Sequence, residues 1–598
     1  MAESPKIAGE SVVRLSIFSK GTKIADTYGV IAVTVKKKVN KIALARIVLR
    51  DGDMSNGDFP ISNTDDFKPG VEIKINAGYM EEEETIFQGI VVKHGISITR
   101  NNASRLIVEC RDKAAKMTVG RKNANYVDAK DSDIIAKLIK GYSDSGLSAD
   151  VEKTKAQYKE LVQYYCTDWD YMLCRAEVNG LLVIVEDGAI AVKAPKTDSS
   201  PSLKVTYGHD LMEFQGEIDA RTQLTAVKGV AWDPKTQAVM EQDGSKPTLN
   251  EQGDLDPDDL AKVVELQSYK LQTAAPVDKT GLKAWTDAQM LKAGMARIRG
   301  TMKFQGSAKA KPGELIELNG VGNRFTGNVF VGSVVHEISG GNWTTEVAFG
   351  LAPEWLAERT DVVAPPASGF SPGVEGLQVG VVKKLDQDPE GEHKIQVAVP
   401  VLQAETEGVW ARLAKFYASE GIGAFFVPEI GDEVVLGYFN NDPAHPVILG
   451  SLYSSKRKPP YSLTADNFTK AIVTKSELKI EFDDDKKVIT IETPGGNKIV
   501  ISDDDTSILL ADQNNNTVKL GSDGIVLDSP KDITITAKGK VSVDAAGGLE
   551  LNSKADIKIT GMNVNNEAEV GFVAKGNSSA ELSASGQTTV KGAMVMIN

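Results

Sequence analysis

The sequence has 598 residues, enough for about four domains at ~150 residues each. Its formal net charge of −14 and pI near 5.1 argue against nucleic acid or an anionic membrane as the main partner, because phosphate binding needs clustered Lys and Arg. No apolar run approaches the ~18 residues that would span a bilayer, and the start, Met1-Ala-Glu-Ser-Pro-Lys, has no apolar signal segment. We therefore expect synthesis in the cytoplasm without an N-terminal signal.

The first hundred residues predict strands separated by turn residues. Turn clusters such as Asp51-Gly-Asp and Lys68-Pro-Gly punctuate them. The predicted strands are Val12–Ile17, Ile31–Val35, Ile42–Leu49, Val71–Ile75, Ile86–Val92 and Leu106–Val108. This pattern favours a β-barrel or a curled sheet.

Two helices are predicted next, one over Asp131–Lys140 and one opened by the capping box that starts at Thr167 and ended by Asn179-Gly180. A third is predicted from Thr286 to about Arg299. A polar, acidic insertion at 232–273 predicts a loop and a short helix. Further strands are predicted at Leu181–Val185, Leu224–Val230, Leu315–Leu318, Val329–Ile338 and Thr344–Gly350. We interpret residues 1–357 as one β-rich unit of two related barrels that carry small helices.

Residues 358–376 are predicted to be a linker, because Ala364-Pro-Pro-Ala-Ser-Gly-Phe-Ser-Pro-Gly373 is rich in Pro, Gly and Ser. A strand-rich module follows at 377–456, with alternating apolar residues at Ile395–Val399 and Glu433–Leu436. Five short strands in that length fit a small OB-type barrel. Residues 457–477, which include Pro459-Pro460, are predicted to connect this module to the last segment.

Residues 478–598 carry pairs of apolar residues that return at a nearly fixed interval, with a step of eight residues from Ile525 to Ile557. The first members of these pairs are Ile525, Ile533, Val541, Leu549 and Ile557. One short strand per repeat cannot bury its apolar face alone, so identical chains wrapped around one axis are the economical solution. These five residues are predicted to form the core of a trimeric β-prism. The alternative is a single-chain β-solenoid, for which longer repeats or Gly-rich calcium-binding repeats are expected.

Signatures of catalysis are missing from the sequence: there is neither Gly-x-Ser-x-Gly nor a phosphate-binding Walker A motif. His336-Glu337 lacks the second His of a zincin helix, and Cys110, Cys166 and Cys174 lack a CxxC spacing, which favours reduced structural thiols. The segment from Asp254 to Glu265 faintly matches a calcium loop, although a helix start capped by Asp256 explains it better. No catalytic residue, cofactor or metal is therefore expected.

The 377–453 segment contains four short motifs in order: Phe426-Val-Pro-Glu-Ile-Gly-Asp-Glu-Val434, Gly437-Tyr-Phe439, Asp442-Pro-Ala-His-Pro446 and Gly450-Ser-Leu-Tyr453. With these motifs it resembles the OB domain of the VgrG spike proteins, which occur in type VI secretion systems and have relatives in extracellular injection particles and in the hubs and spikes of contractile phage tails. Further similarity lies in Asp168-Trp-Asp-Tyr171, Arg175–Gly180, Lys311–Leu315 and Gly341–Glu346, and in the ending Val590–Asn598. The insertion at 232–273 departs from the family pattern, and its role cannot be read from the sequence.

This resemblance implies a mainly β, trimeric hub and spike with mechanical rather than enzymatic action. Its implied partners are two further copies of the chain, a hexameric tube, baseplate components, effector cargo and a PAAR-type tip protein. Met594, Val595, Met596, Ile597 and Asn598 are the predicted contact for the tip protein, because the first four form an apolar cluster at the blunt end. The alternative is that these residues close the prism core. The chain would assemble in the bacterial cytoplasm and then be injected with the particle.

Two alternatives remain open at this point: an effector-bearing or cell-wall-degrading spike enzyme, and a tail-fibre adhesin. Each would require a folded extension after the prism. The sequence also leaves open whether the machine is a type VI system, an extracellular particle or a phage tail.

Overall fold

The computed structural model of the chain describes residues 2–5, 12–80, 82–100, 103–359, 362–403 and 407–597. Contacts between Cα atoms divide the chain into two compact units, Met1–Leu452 and Tyr453–Asn598. Asn598, the last predicted tip residue, lies outside the described residues.

The first part of the N-terminal unit is a run of antiparallel strands around one apolar core. The core includes Phe67, Ile73, Phe87, Leu106 and Val108, all with no measurable exposure. The strands are β1 (Val13–Ser19), β2 (Thr22–Lys23), β3 (Val30–Lys38), β4 (Leu44–Arg50), β5 (Glu72–Tyr79), β6 (Glu82–Ile98) and β7 (Ser104–Arg111). Each of the six predicted strands is present, with ends moved by a few residues.

A layer of helices and short strands follows and has its own core, which includes Ile135, Met172 and Val183. Its elements are β8 (Lys122–Lys130), α1 (Asp131–Lys140), β9 (Ser148–Val151), β10 (Gln157–Cys166), α2 (Asp168–Val178), β11 (Leu182–Glu186) and β12 (Ala189–Lys193). The predicted cap of α2 is confirmed, since the Thr167 side chain accepts a hydrogen bond from the Asp170 amide at 3.0 Å.

The remaining elements of the hub, up to Phe349, include further strands of the sheet. Its elements are β13 (Leu203–Thr206), β14 (Leu211–Ile218), β15 (Val227–Asp233), β16 (Ala238–Asp243), α3 (Pro257–Lys262), β17 (Tyr269–Thr273), α4 (Lys279–Met295), β18 (Ile298–Gln305), β19 (Leu315–Asn319), β20 (Gly327–Ser339) and β21 (Asn342–Phe349). A separate core, which includes Phe304, Ile316 and Val347, lies among β13, β18, β19, β20 and β21.

The two predicted barrels are two halves of one sheet. Strand β20 pairs antiparallel with β3, from Ser333 opposite Lys38 to Ser339 opposite Ala32, and this pairing joins the halves into a 13-stranded sheet. The order along the sheet is β14-β18-β21-β20-β3-β4-β7-β6-β5-β1-β2. Outside this order, β19 pairs with β20 and β13 pairs with β19. Each half keeps its own core, but no pairing between β2 and β14 closes the described sheet.

The insertion corrects a prediction. Residues 232–273 contain the predicted short helix, α3, but they also supply β16 and β17, which flank β15 in a three-stranded sheet. Glycine at position 229 lets this sheet approach α4, because a Cβ there would lie 2.7 Å from the Thr286 side chain.

The start of α4 was also predicted wrongly. The helix begins at Lys279, where Asp278 caps it by accepting from the Gly281 amide at 2.7 Å. Thr286 is buried inside the helix, and its hydroxyl donates to the carbonyl of Lys283. Thr286 therefore does not cap the helix start, as its place at the beginning of the predicted helix would require.

The following module is a closed barrel of β22, β23, β24, β28 and β27, as the OB interpretation requires. Its strands are β22 (Gln378–Lys384), β23 (Ile395–Ala398), β24 (Val409–Leu413), β25 (Ala418–Ser419), β26 (Ile422–Gly423), β27 (Glu433–Tyr438) and β28 (Pro446–Leu452). Part of the predicted linker packs on this module, since the Val374 amide donates to the Asn441 carbonyl at 2.8 Å and Asn440 bonds Ser368 at 2.9 Å.

The C-terminal unit starts as a seven-stranded antiparallel meander. Its strands are β29 (Thr469–Val473), β30 (Lys479–Asp483), β31 (Val488–Glu492), β32 (Lys498–Ser502), β33 (Ser507–Ala511), β34 (Thr517–Gly521) and β35 (Gly524–Asp528). Residues 478–528 thus pair within one chain, which corrects the prediction of one isolated strand per repeat for this part. From Ser529 to Ile597 the described chain forms no strand with itself.

Candidate assembly surface

One face of the meander is apolar from β30 to β35. Each strand from β30 to β35 places two large apolar residues on this face, and their cross-strand partners are also apolar: Ile480 lies opposite Ile491, and Phe482 lies opposite Ile489. The members, here called the apolar stripe, are Ile480, Phe482, Ile489, Ile491, Ile499, Ile501, Ile508, Leu510, Val518, Leu520, Ile525 and Leu527. From Ile480 to Ile508 the large members are 37–44% exposed, so the described residues leave this face open to solvent.

The opposite face carries most of the charged and hydroxyl side chains of the sheet. Lys479 forms an ion pair with Glu492 at 2.8 Å, and the Tyr461 hydroxyl donates to Glu481. The meander is therefore amphipathic, although Val488, Val500 and Leu509 also lie on the charged face.

The predicted prism-core residues continue the apolar stripe beyond the meander. Ile525 lies in β35, whereas Ile533, Val541, Leu549 and Ile557 lie in the segment without intrachain strand pairing. These five side chains are 56–72% exposed in the single chain. Their second members, which include Ile535 and Val543, are exposed as well. The structure does not bring the five together within one chain.

The predicted tip is also exposed. Met594, Val595, Met596 and Ile597 have between 51% and 91% of their surface accessible. No strand in the described part of this segment fixes their direction.

The individual residues of the stripe before Ile525 were not identified from the sequence, although apolar pairs were predicted from residue 478 onward. Apolar pairs one residue apart recur at Ile480, Ile489, Ile499 and Ile508, in steps of nine or ten rather than eight. The longer step allows a turn between antiparallel neighbours, which is why these repeats pair within the chain.

The candidate chemistry sites have structural roles. His336 lies in β20, buried, with its Nδ1 3.0 Å from the Thr345 hydroxyl, and burial lowers the pKa of His336 to about 3. Burial likewise raises the pKa of the Cys110 thiol to about 12 and that of Cys174 to about 11. Asp256 caps α3 through the Asp258 amide at 2.8 Å, as predicted.

Neither a metal cluster nor a membrane span is found in the part of the chain that the structure describes. No three His, Cys, Asp or Glu side chains there are grouped to hold a metal ion. None of the helices there has both the length and the apolar character needed to cross a bilayer.

The fold and the stripe define a mainly β protein with an extended apolar assembly surface. The chain belongs to the family described as the Alg8 N-terminal domain, whose model matches residues 9–340, more than half of the sequence. A second family model, the type VI secretion system/phage-baseplate injector OB domain, matches residues 378–453 and coincides with the closed barrel.

Relatives with curated names are VgrG spike proteins. VgrG5 of Pseudomonas aeruginosa, a type VI secretion system spike protein, is 30% identical over 146 residues, which cover 22% of this chain and 18% of that protein. VgrG3 of Vibrio cholerae is 33% identical over 69 residues, 12% of this chain and 7% of that protein. The chain thus matches less than a fifth of these relatives' length. The resemblance to VgrG-type spikes is confirmed.

Solved structures with a similar chain course are more distant. A tail protein from Neisseria meningitidis is 12% identical with a TM-score of 0.42, covering 58% of this chain and 98% of that chain. A chain of the Francisella PdpA-VgrG complex is 10% identical with a TM-score of 0.37, covering 87% of this chain and 80% of that chain.

Proposed function

We propose that the protein is a non-enzymatic, trimeric hub and spike at the tip of a contractile injection machine. The observation that carries this proposal is the apolar stripe, which runs from β30 to β35 open to solvent and continues as exposed pairs to Ile559. The similarity to VgrG-type spikes supports the assignment to a contractile injection machine.

The stripe supports obligate assembly on energetic grounds. Burying a fully exposed large aliphatic side chain contributes about 1.5–3 kcal/mol. Each of the twelve stripe members in a chain is already partly buried by the sheet and would contribute part of that. Three such faces turned towards one axis would bury one another and form a triangular prism. Beyond Asp528 each chain would supply extended segments whose backbone groups pair with the other two chains, because the described part of a single chain gives them no strand partner there.

The hub is proposed to seat on the tube. Each chain contributes two half-sheets with separate cores, so three chains would present six related units to a six-membered ring. Baseplate components and effector cargo are the further partners in this proposal. Assembly would take place in the bacterial cytoplasm, before injection with the particle.

The tip is proposed to hold a PAAR-type protein. Met594, Met596 and Ile597 expose more than four fifths of their surfaces, and such a patch in triplicate would suit a capping partner. Deleting residues 594–598 should leave the trimer intact but abolish capture of the producing strain's PAAR protein in a pull-down. Undiminished capture would place the cap elsewhere.

The function is tested on particles from the producing cell. We expect electron micrographs of purified particles to show a spike at one end of a contractile tube. A strain with Leu549→Asp should yield particles without that spike, because three buried carboxylates in a thin core have no partners. Lys558→Asp, a change in the next repeat at a position predicted to point outward, is the matched control. Particles with normal spikes in the Leu549→Asp strain would contradict the proposal.

A further inference from the structure

The OB barrel carries a protruding hairpin whose surface is almost entirely aromatic and aliphatic. Strands β25 and β26 form a two-stranded sheet of their own, outside the barrel sheet. Phe416 and Phe425 are each 89% exposed at the base of this hairpin. Tyr417, Ile422 and Phe426 are more than half exposed as well. Residues 416–426 are called the aromatic hairpin below.

The aromatic hairpin is held in one shape. The Ala424 amide donates to the Tyr417 carbonyl at 3.0 Å, so Phe416 and Phe425 flank a hydrogen-bonded pair. Gly423 has φ 144°, and a Cβ at this position would lie 2.7 Å from the Tyr417 oxygen, so glycine is required there. A flexible loop could fold its phenylalanines inward, whereas this hairpin presents them outward.

Both ends of the aromatic hairpin are fixed to the barrel. On the entering side, the Ala414 amide donates to the Ile448 carbonyl at 2.9 Å. On the leaving side, Val427 packs against the barrel core. The exposed aromatic side chains are thus mounted on a rigid support, which lowers the ordering cost of docking.

The chemistry of the hairpin favours a permanent partner. Glu420, at the tip, is the one charged residue of the aromatic hairpin. Electrostatic attraction would therefore contribute little to the recruitment of a transient partner. Aromatic, charge-poor surfaces are typical of obligate interfaces between copies of a chain.

Chain connectivity points to the same partner. Residues 453–468 join the barrel to β29, so trimerised shafts would hold three barrels at high effective concentration. We infer that the aromatic hairpin docks on the OB barrel of a second copy of this chain and locks the three barrels into a collar. This inference rests on the proposed trimer.

A photo-reactive residue tests the inference in the full-length protein. Phe425 is replaced by p-benzoylphenylalanine, the purified protein is sized by light scattering, and it is then irradiated. We expect a trimer whose irradiation gives covalent two-chain and three-chain bands on a denaturing gel, with the cross-link mapped to residues 377–453 of another copy. The same probe at Met54, an exposed hub position, is the control and should not give this barrel cross-link.

The outcomes separate the inference from the proposed function. A trimer that gives only products within one chain overturns the collar contact and leaves the spike proposal standing. A cross-link to a co-purified protein of another sequence also overturns it and identifies that protein as the occupant. A monomer by light scattering overturns both.

Discussion

Asp131 and Arg175 form a buried ion pair that fixes α1 to α2. Arg175 Nε donates to Asp131 Oδ1 at 2.6 Å and its terminal nitrogen donates to Oδ2 at 3.0 Å, while Asn179 donates to the same carboxylate. The Asp131 side chain has no exposed surface. No local sequence pattern indicates this pair, because 44 residues separate its members.

Removing the carboxylate should therefore destabilise the hub. Asp131→Ala leaves a buried guanidinium without its partner, and we expect a loss of about 3–5 kcal/mol in the free energy of unfolding. Asp133→Ala on the same helical turn breaks the exposed Lys153 pair and should cost about 0–1 kcal/mol. Calorimetry of both full-length variants measures the difference. Equal losses in the free energy of unfolding would mean that the buried ion pair stabilises the hub no more than the exposed one does.

His336 predicts a pH dependence of hub stability. Because burial lowers the pKa of His336 to about 3 in the folded chain, and the Lys37 ammonium acts in the same direction, the unfolded chain binds a proton first as pH falls. Stability from this residue is present above the unfolded pKa of about 6.5 and is lost as pH falls from there towards 3, at about 1.4 kcal/mol per unit.

The variant His336→Gln isolates this effect. Between pH 7 and pH 5 the natural hub should lose about 2 kcal/mol more stability than the variant, as measured by denaturant unfolding at both values. Parallel losses in the two proteins would show that His336 does not titrate in this way.

At the scale of elements, strands and caps with local signals were predictable, and those set by distant contacts were not. The bounds of α1 were predicted to the residue, because its apolar spacing and the glycine after it are local. The start of α4 was predicted too late in the chain, because Thr286 is a residue type that often caps helices. In the structure it is buried against the sheet of β15, β16 and β17. Strand β16 carries weak alternation and is defined by its pairing with β15.

The two faces of the meander give an element-scale prediction. Ile491→Asp places a carboxylate on the apolar stripe and should prevent assembly, because its copies would be buried without partners. Thr490→Asp, one residue earlier on the opposite face, should leave the oligomer unchanged. Native mass spectrometry of both variants distinguishes the faces. If both variants assemble, the stripe is not part of the interface between chains.

At the scale of the whole molecule, the OB barrel was predictable from the sequence, and the pairing that joins the two halves of the hub sheet was not. The barrel was recognisable from Phe426–Val434 and later residues, and the family match at 378–453 agrees with it. The pairing of β3 with β20 joins segments about three hundred residues apart, which no local pattern encodes. The candidate prism core was predicted from Ile525 onward, and the stripe extends it back to Ile480.

The central claim is that the exposed apolar repeats hold three chains together. Its most direct test is the mass of the full-length protein in solution by light scattering, beside Val541→Asp and Lys558→Asp. We expect three times the 64.2 kDa chain mass for the natural protein and for Lys558→Asp, and failure to assemble for Val541→Asp. A folded, soluble monomer of the natural chain at micromolar concentration would contradict the account, and so would a trimer that tolerates Val541→Asp.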